Sequence, residues 1–392
     1  MSDIINSDIL NHFQLFYKIS KKSYYEFSVV IKHYYISELL SSLKDRYRLA
    51  TCEVGVNGIM SRKHFWQGAL FCLFAAVAWG AMFPIAESAL HHIDPFWFSG
   101  IRYSIVGILL AALLFFKEGK AAFNTKGQTF RIWLLGLFGF TIYNFGVFWG
   151  QQQLGKSGVL LASIMESFMP MLAVLFVWIV TRKRPKMSTL ACVFTAFIGV
   201  VFVVTKGDLH SLANGGLKLL PLLSVFAGIT GWVIYTVSSG QFAGWSALRF
   251  STLSSLYGGL TTMAVVLVMT SFGMVDAPSI SAVASIAPEM SFMILVAGLL
   301  ALLSWIQGVQ LLKPINGMLF INFVPATTFI ISVIQGYAVS FAELFGTLLI
   351  VGALIVNNLL SRRMSQDELK TVKSQSDLRS RLPKKHSHAP TG

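Results

Sequence analysis

The sequence predicts an all-α membrane protein with ten transmembrane helices arranged as two inverted five-helix repeats. Of its 392 residues, 55% are hydrophobic and 12% are charged, about half the charged fraction of a typical soluble domain. The central region 64–361 holds 14 Lys and Arg and 8 Asp and Glu, whereas the two short flanks hold 17 and 9. This charge-poor middle excludes a soluble enzyme and indicates a polytopic membrane protein.

Apolar segments long enough to cross a bilayer follow one another through the whole central region. A helix needs about 20 apolar residues to span the hydrocarbon layer, and ten segments meet this requirement. Their short connections favour a compact helix bundle. The predicted spans are 66–88, 95–116, 131–153, 158–180, 188–205, 217–239, 247–271, 290–311, 315–338 and 341–360.

Basic residues concentrate in alternate loops, which predicts the orientation of the chain. One set of loops carries only Lys156, Lys206 and Lys218. The opposite set, which includes both termini, holds the remaining basic clusters: Arg62/Lys63, Lys117, Lys120, Lys126, Arg131, Arg182–Lys186, Arg249, Lys313 and Arg362–Lys385. We therefore expect both termini to be cytoplasmic in a multi-pass protein of the cell (inner) membrane. The same loops account for the net charge of +14, so no nucleic-acid partner is expected.

The two flanks fall outside the repeating pattern. Residues 1–59 contain no apolar run of the roughly 18 residues that a span needs and no signal-peptide cleavage site. We expect 1–63 to be a poorly ordered extension, of which residues 1–59, before Met60, are dispensable. We expect 362–392 to be a basic, disordered cytoplasmic tail.

Short motifs recur in the same order in the two halves of the central region. Their offsets are 152, 147, 157 and 155 residues, which favours a duplicated unit over 64–206 and 207–361. Because five spans is an odd number, the second copy must enter the membrane in the opposite orientation, as in many secondary transporters. The matched pairs are 74–80 with 226–232, 99–104 with 246–251, 153–156 with 310–313, and 168–170 with 323–325.

Several of these motifs resemble the drug/metabolite transporter superfamily, EamA type. The shared features are a Trp-Gly pair in span one, an Arg early in spans two and seven, a Pro in spans four and nine, and spaced glycines in span ten: Trp79-Gly80, Arg102, Arg249, Pro170, Pro325, Gly346 and Gly352. The Gly-Glu pair that many members carry before spans five and ten is replaced by 182–185 and 336–338. The resemblance covers about 66–360 and implies a ten-helix transporter.

The expected function is secondary transport of small organic metabolites by alternating access, with amino acids or related compounds as candidates and export as the direction. No phosphate-binding Gly-x-x-x-x-Gly-Lys-Ser/Thr loop occurs in the sequence, which argues against direct ATP hydrolysis. Protons are a candidate coupling ion, and no cofactor or metal is expected. The alternatives are an intramembrane enzyme, which would need paired acids or a His-containing constellation, and a channel or scaffold protein.

Glu166 and Arg102 are charged residues within predicted spans, which makes them the leading candidates for substrate binding or coupling. A charged residue at mid-membrane costs about 2.5–3.5 kcal/mol on insertion scales. Pro170 lies four residues after Glu166 and has no N–H that could donate to the carbonyl oxygen of Glu166. Both charged residues lie at a depth of roughly 10–12 Å, so we expect them to be close enough to pair. The structural alternatives are a paired or protonated Glu166 and an anchoring Arg102, since Arg249 recurs in the repeat.

Amides and aromatic residues on other spans complete the predicted site. Asn144, Phe148 and Gln151 recur at i, i+4 and i+7 on span three and therefore share one helix face. Polar amides are costly in lipid, so such faces are expected to point inward; interhelical hydrogen bonding is the structural alternative. The remaining candidates are a second polar face with Ser304 and Gln307, an aromatic wall of Trp79, Trp232 and Tyr235, and Asn322 near Pro325.

Labelling of single cysteines from outside the cell tests the orientation. A Cys introduced at Ser211, in the loop between spans five and six, should react with a membrane-impermeant maleimide, because the Lys/Arg distribution places this loop outside. A Cys at Ser365, in the basic tail, should react only after the membrane is permeabilised. The reverse labelling pattern would contradict the predicted topology.

Overall fold

The computed structural model describes residues 62–182, 187–205, 219–242, 244–338, 340–353 and 356. Within these ranges all regular structure is helical, and no strand occurs in them. Residues 1–61 of the predicted N-terminal extension, residues 183–186 of the basic loop, the loop around Ser211 and the C-terminal tail lie outside the described residues.

The N-terminal half contains five successive helical elements. The second of them, α2 (Pro95–Glu118), begins where Asp94 accepts a hydrogen bond from the backbone N–H of Phe96 at 2.8 Å and Pro95 occupies the first turn. This arrangement caps free N–H groups. The elements are α1 (Arg62–Leu90), α2 (Pro95–Glu118), α3 (Thr129–Leu154), α4 in two halves (Gly158–Glu166 and Met169–Thr181) and α5 (Met187–Thr205).

The C-terminal half also contains five successive helical elements. Its second helix, α7 (Ala247–Ser271), begins after Ser246, whose hydroxyl accepts from the backbone N–H of Arg249 at 2.9 Å. The elements are α6 (Leu219–Ser238), α7 (Ala247–Ser271), α8 (Ala287–Leu312), α9 (Pro314–Met318, a 3-10 turn Leu319–Asn322 and Phe323–Ile334) and α10 (Phe341–Ala353).

Each of the ten predicted spans contains helix within the described ranges, but fewer meet the full requirements for crossing a bilayer. In the part of the chain that the structure describes, seven helices are long and apolar enough, and an eighth results if the two halves of α4 form one span bent by 43°. The described part of α10 is shorter. The protein is therefore an all-helical, multi-pass membrane protein.

The outer surface of the bundle is apolar, while hydroxyl groups lie inside it. Ile108 and Phe116 on α2 are 64% and 83% exposed, and Leu260 on α7 is 66% exposed. Large exposed apolar side chains are expected where a surface faces lipid. Inside, buried hydroxyls donate to helix carbonyls, as Thr262 does to Gly258 at 2.8 Å, so these polar groups are satisfied without water.

Helices of one half pack mainly against helices of the other. The closest pairings are α1 with α8 and α9, α2 with α7, and α3 with α6. Small residues permit this approach: a Cβ on Gly146 would lie 2.4 Å from the carbonyl oxygen of Ser224, and one on Gly199 would lie 2.6 Å from that of Gly346. These glycines on α3 and α5 therefore allow close contact with the backbone of α6 and α10.

Substitution of Gly146 tests how strongly the α3–α6 contact stabilises the protein. Gly146→Ala should lower the free energy of unfolding by about 1–3 kcal/mol, because the added methyl overlaps backbone of α6 that cannot move aside. Thermal unfolding of the purified protein in detergent measures this. Gly352→Ala in α10 is the control, because a Cβ there meets no atom within 4 Å; equal melting temperatures for the two variants would contradict the packing argument.

Candidate functional site

A small cavity lies between the two halves of the bundle. Its volume is about 10 Å³, room for about one water molecule. Helices α1, α2, α3, α4, α6, α8 and α9 all contribute side chains to it. The lining residues are Trp79, Met82, Arg102, Tyr103, Tyr143, Glu166, Met169, Trp232, Ala297, Leu302 and Ile321.

Glu166 reaches this cavity from a break in α4. It is the last residue of the first helical half and is 1% exposed. The chain resumes helical structure at Met169, immediately before Pro170. The missing N–H of Pro170 thus coincides with an interruption of the helix within the predicted continuous span 158–180. The Tyr143 hydroxyl donates a hydrogen bond to Oε1 of Glu166, so this buried acid has a partner from α3.

Arg102 reaches the cavity from the first third of α2 and is also 1% exposed. Its Nε donates to the carbonyl oxygen of Met293 at 3.0 Å. Its Nη1 lies 3.4 Å from both Oδ1 of Asn144 and the sulfur of Met82. The guanidinium carbon also lies 4.8 Å from the ring centre of Tyr103, within the range of a cation–π contact.

The expected ion pair between Arg102 and Glu166 is not formed. Across the described residues the ion pair found is between Glu87 and His91, with 3.6 Å between oxygen and nitrogen. Matched depth predicted that Arg102 and Glu166 lie at the same level of the bundle, and both line the cavity, but each contacts a residue of α3 rather than the other charged group. Its consecutive residues Tyr143 and Asn144 bind Glu166 and Arg102 respectively.

The predicted polar face of α3 is buried as expected. Asn144, Phe148 and Gln151 are each 0% exposed. Asn144 and Phe148 both contact Arg102, the ring centre of Phe148 lying 5.8 Å from the guanidinium carbon. Gln151 lies farther along α3, where its Nε2 donates to the carbonyl oxygen of Phe83 at 3.0 Å. Gln151 therefore joins α3 to α1 outside the cavity.

Two of the three residues of the predicted aromatic wall, Trp79 and Trp232, line the cavity. The rings of Trp79 and Trp232 meet edge to face at 5.2 Å and 87°, and both line the cavity. The Trp79 indole N–H donates to the carbonyl oxygen of Ala297 at 3.0 Å. Tyr235 lies behind Trp232, stacked on Phe250 at 5.3 Å, and so belongs to the surrounding core.

Two further predicted residues lie away from the cavity. Gln307, with Ser304 on the same face of α8, is half-buried and is not among the lining residues. Asn322 donates through Nδ2 to the carbonyl oxygen of Leu319 at 3.0 Å, which is a bond within its own helical turn. Its neighbour Ile321 reaches the cavity instead.

Sequence reasoning missed Tyr143 and Tyr103, which flank the two charged groups. Tyr143 begins the regular helical part of α3, Tyr143–Leu154, directly after a π-helical segment, Leu137–Ile142. Its position next to Asn144 was the available signal. Sequence reasoning also missed Glu343, 1% exposed, which accepts from the Ser340 backbone N–H at 2.8 Å and from the Tyr337 hydroxyl at 3.0 Å. Glu343 thereby caps α10.

Comparison with known proteins gives the family. Residues 66–205 match the EamA-like transporter family. The uncharacterized transporter YrdR of Bacillus subtilis (strain 168) is 44% identical over 304 residues, which cover 78% of this chain and 95% of that protein. The chain belongs to the EamA-like transporter family. It is thus a transporter of the drug/metabolite superfamily, as the sequence motifs predicted.

More distant relatives agree with this assignment. The uncharacterized inner membrane transporter YicL of Salmonella typhimurium is 21% identical over 307 residues, covering 76% of this EamA-type chain and 98% of YicL. One protein of known crystal structure aligns with a TM-score of 0.53 and 21% identity, covering 76% of this chain and 97% of the other. That likeness concerns the fold alone.

Removal of the Tyr143 hydroxyl tests its contact with Glu166. Tyr143→Phe should lower the free energy of unfolding by about 1–3 kcal/mol, because a buried carboxyl loses its donor. Thermal unfolding in detergent measures the change. In the double variant with Glu166→Leu, the free energy of unfolding should fall by less than the sum of the decreases in the two single variants, because both substitutions remove the same interaction.

Tyr235→Phe is the matched control for this cycle. It also removes a buried tyrosine hydroxyl, but Ser254 keeps its own hydrogen bond to the carbonyl oxygen of Phe250 at 2.7 Å. We therefore expect a smaller change in melting temperature. Strict additivity of Tyr143→Phe and Glu166→Leu would contradict the assigned contact.

Proposed function

We propose that this transporter moves small organic metabolites across the cytoplasmic membrane by alternating access, with the cavity around Glu166 and Arg102 as its substrate site. The observation that carries the proposal is the cavity itself, which seven helices from both halves enclose and into which two buried, oppositely charged side chains project. Ionisable residues inside a membrane bundle commonly mark substrate or ion pathways.

We propose further that 64–206 and 207–361 are inverted five-helix repeats and that the complete protein has ten spans. The pairing of helices supports this, because α1 packs on α8 as α6 packs on α3, while α2 packs on α7. An exchange of the two halves converts the α1–α8 pairing into the α6–α3 pairing and maps the α2–α7 pairing onto itself. Interruptions of the helices support it too: π-helical segments begin at Leu137 in α3 and Phe292 in α8, an offset of 155 residues.

The size of the cavity supports a mechanism in which access alternates. With room for about one water molecule, the cavity admits a metabolite only after helices separate on one side. The interrupted helices α3, α4, α8 and α9 all contribute lining residues, and such interruptions are common at functional sites and hinges. Movement at these interruptions would open the cavity to either side in turn.

Glu166 is proposed as the coupling acid, with protons as the coupling ion. It lies at the end of a helical half, with Pro170 unable to complete the hydrogen-bonding of the next turn, so its surroundings can rearrange as α4 bends. A proton bound there would neutralise the carboxyl group, and its release would restore the charge. Amino acids or related compounds are the proposed substrates, and export is the proposed direction, with both termini cytoplasmic.

Neutralisation of Glu166 tests the proposed function. Glu166→Gln keeps the shape of the side chain and removes its charge, so it should reduce transport driven by a pH gradient by at least 10-fold while the protein still inserts. Transport is measured as uptake of labelled amino acids into proteoliposomes, with and without the gradient. Glu343→Gln is the matched control, because Glu343 is equally buried but lies outside the cavity. Undiminished gradient-driven transport in Glu166→Gln would contradict the assigned role.

A further inference from the structure

The guanidinium of Arg102 has donors that the described protein groups do not use. A guanidinium carries five N–H groups. Nε binds the Met293 carbonyl, and Nη1 has two long contacts of 3.4 Å, one of them to a sulfur. In the described parts of the chain, Nη2 makes no hydrogen bond, although the side chain is 1% exposed and lines the cavity.

The positive charge of Arg102 also lacks a direct counterion. No carboxylate of the described residues lies within ion-pair distance of it, and its acceptors are a carbonyl, an amide oxygen and a thioether. Glu166, the acid of the same cavity, is bound to Tyr143 instead. A buried cation without an anionic partner is unfavourable in a bilayer, so an anion entering the cavity would relieve this cost.

The remaining walls of the cavity restrict what such an anion is attached to. Met82, Met169, Leu302 and Ile321 are apolar, and the rings of Trp79 and Trp232 present carbon surface. The Trp79 N–H is already bonded to Ala297. These walls suit an apolar body and offer little to a second anionic group.

Resting on the proposed function, we propose that the substrates of this site are organic monocarboxylates with an apolar body, and that Arg102 binds their carboxylate through Nη2. Carboxylates fit the planar fork of arginine, often through two parallel hydrogen bonds. The second bond comes from Nη1, whose long contacts to Asn144 and Met82 yield to a charged acceptor. Binding of the carboxylate neutralises Arg102 before the two halves move.

Binding of matched acids and amides tests this proposal. The probes are acetate, butanoate, 4-methylpentanoate, phenylacetate and L-leucine, each beside its primary amide, added to the purified full chain. We expect at least one acid to raise the melting temperature while its amide does not, because the amide has the same body without the charge. A further gain for L-leucine over 4-methylpentanoate would show that an amino group adds to the carboxylate contact.

Variants of the site separate binding by Arg102 from a purely structural role. Arg102→Lys keeps the positive charge but loses the fork, so the affinity for the carboxylate should fall by about 10-fold or more, the value of one charge-assisted hydrogen bond. Arg249→Lys is the matched control, because Arg249 stacks on Trp245 outside the cavity, its guanidinium carbon 4.1 Å from the ring centre. It should leave the affinity unchanged.

A second variant guards against a misfolded Arg102→Lys protein. Asn144→Asp introduces a carboxylate beside Nη1, where it competes with the substrate, so carboxylate binding should again fall by about 10-fold or more. Equal binding of acids and amides, binding by no acid of the panel, or unchanged affinity in both site variants would overturn the proposal. In that case, uptake of amines or neutral solutes by proteoliposomes that contain the protein would still support the proposed transport function. If neither the acids nor the amines nor the neutral solutes were taken up, the proposed transport function itself would be contradicted.

Discussion

The arrangement of the site depends on one helix that supplies the partners for two buried charges. Tyr143 and Asn144, adjacent on α3, bind Glu166 of α4 and Arg102 of α2. Arg102 and Glu166 form no ion pair with each other. Each contacts α3 instead, so the position of α3 affects the distance between them. This position is in turn fixed by glycines, since Gly146 lies against the backbone of α6 two residues after Asn144. The electrostatics of the cavity therefore rest on the close packing of α3 and α6.

Helical irregularity places the carbonyl groups that hold the cavity together. Met293 and Ala297 belong to the π-helical segment of α8, and their carbonyl oxygens accept from Arg102 and Trp79. In a regular α-helix each carbonyl is bonded four residues on, whereas a π segment shifts this pairing to five. Such a shift changes which carbonyls face the neighbouring helices. The polar contacts of α1 and α2 with α8 thus depend on a local departure from α-helical geometry.

The sequence predicted features governed by a single helix and did not predict those governed by several. The buried face of Asn144, Phe148 and Gln151 follows from the period of one helix. The missing N–H of Pro170 was read from the sequence as well, but the resulting break in α4 was not predicted. Arg102 is buried inside the bundle, where a charged residue of a span is expected to lie. Its neighbours depend on the rotation and spacing of adjacent helices, which periodicity does not encode. Tyr143 was missed for this reason.

The pairing of helices between halves also bears on how the protein is made. The hydrogen bond from Trp79 to Ala297 joins residues 218 positions apart, and α1 packs chiefly on α8 and α9. At synthesis rates of about 5–20 residues per second, α1 waits on the order of 10–40 s in the membrane before these partners are translated. During that interval the face of α1 that packs on α8 and α9, and the indole N–H of Trp79, are open to lipid, to the insertion machinery or to wrong partners. Biogenesis of this chain is therefore most vulnerable before its second half has been inserted.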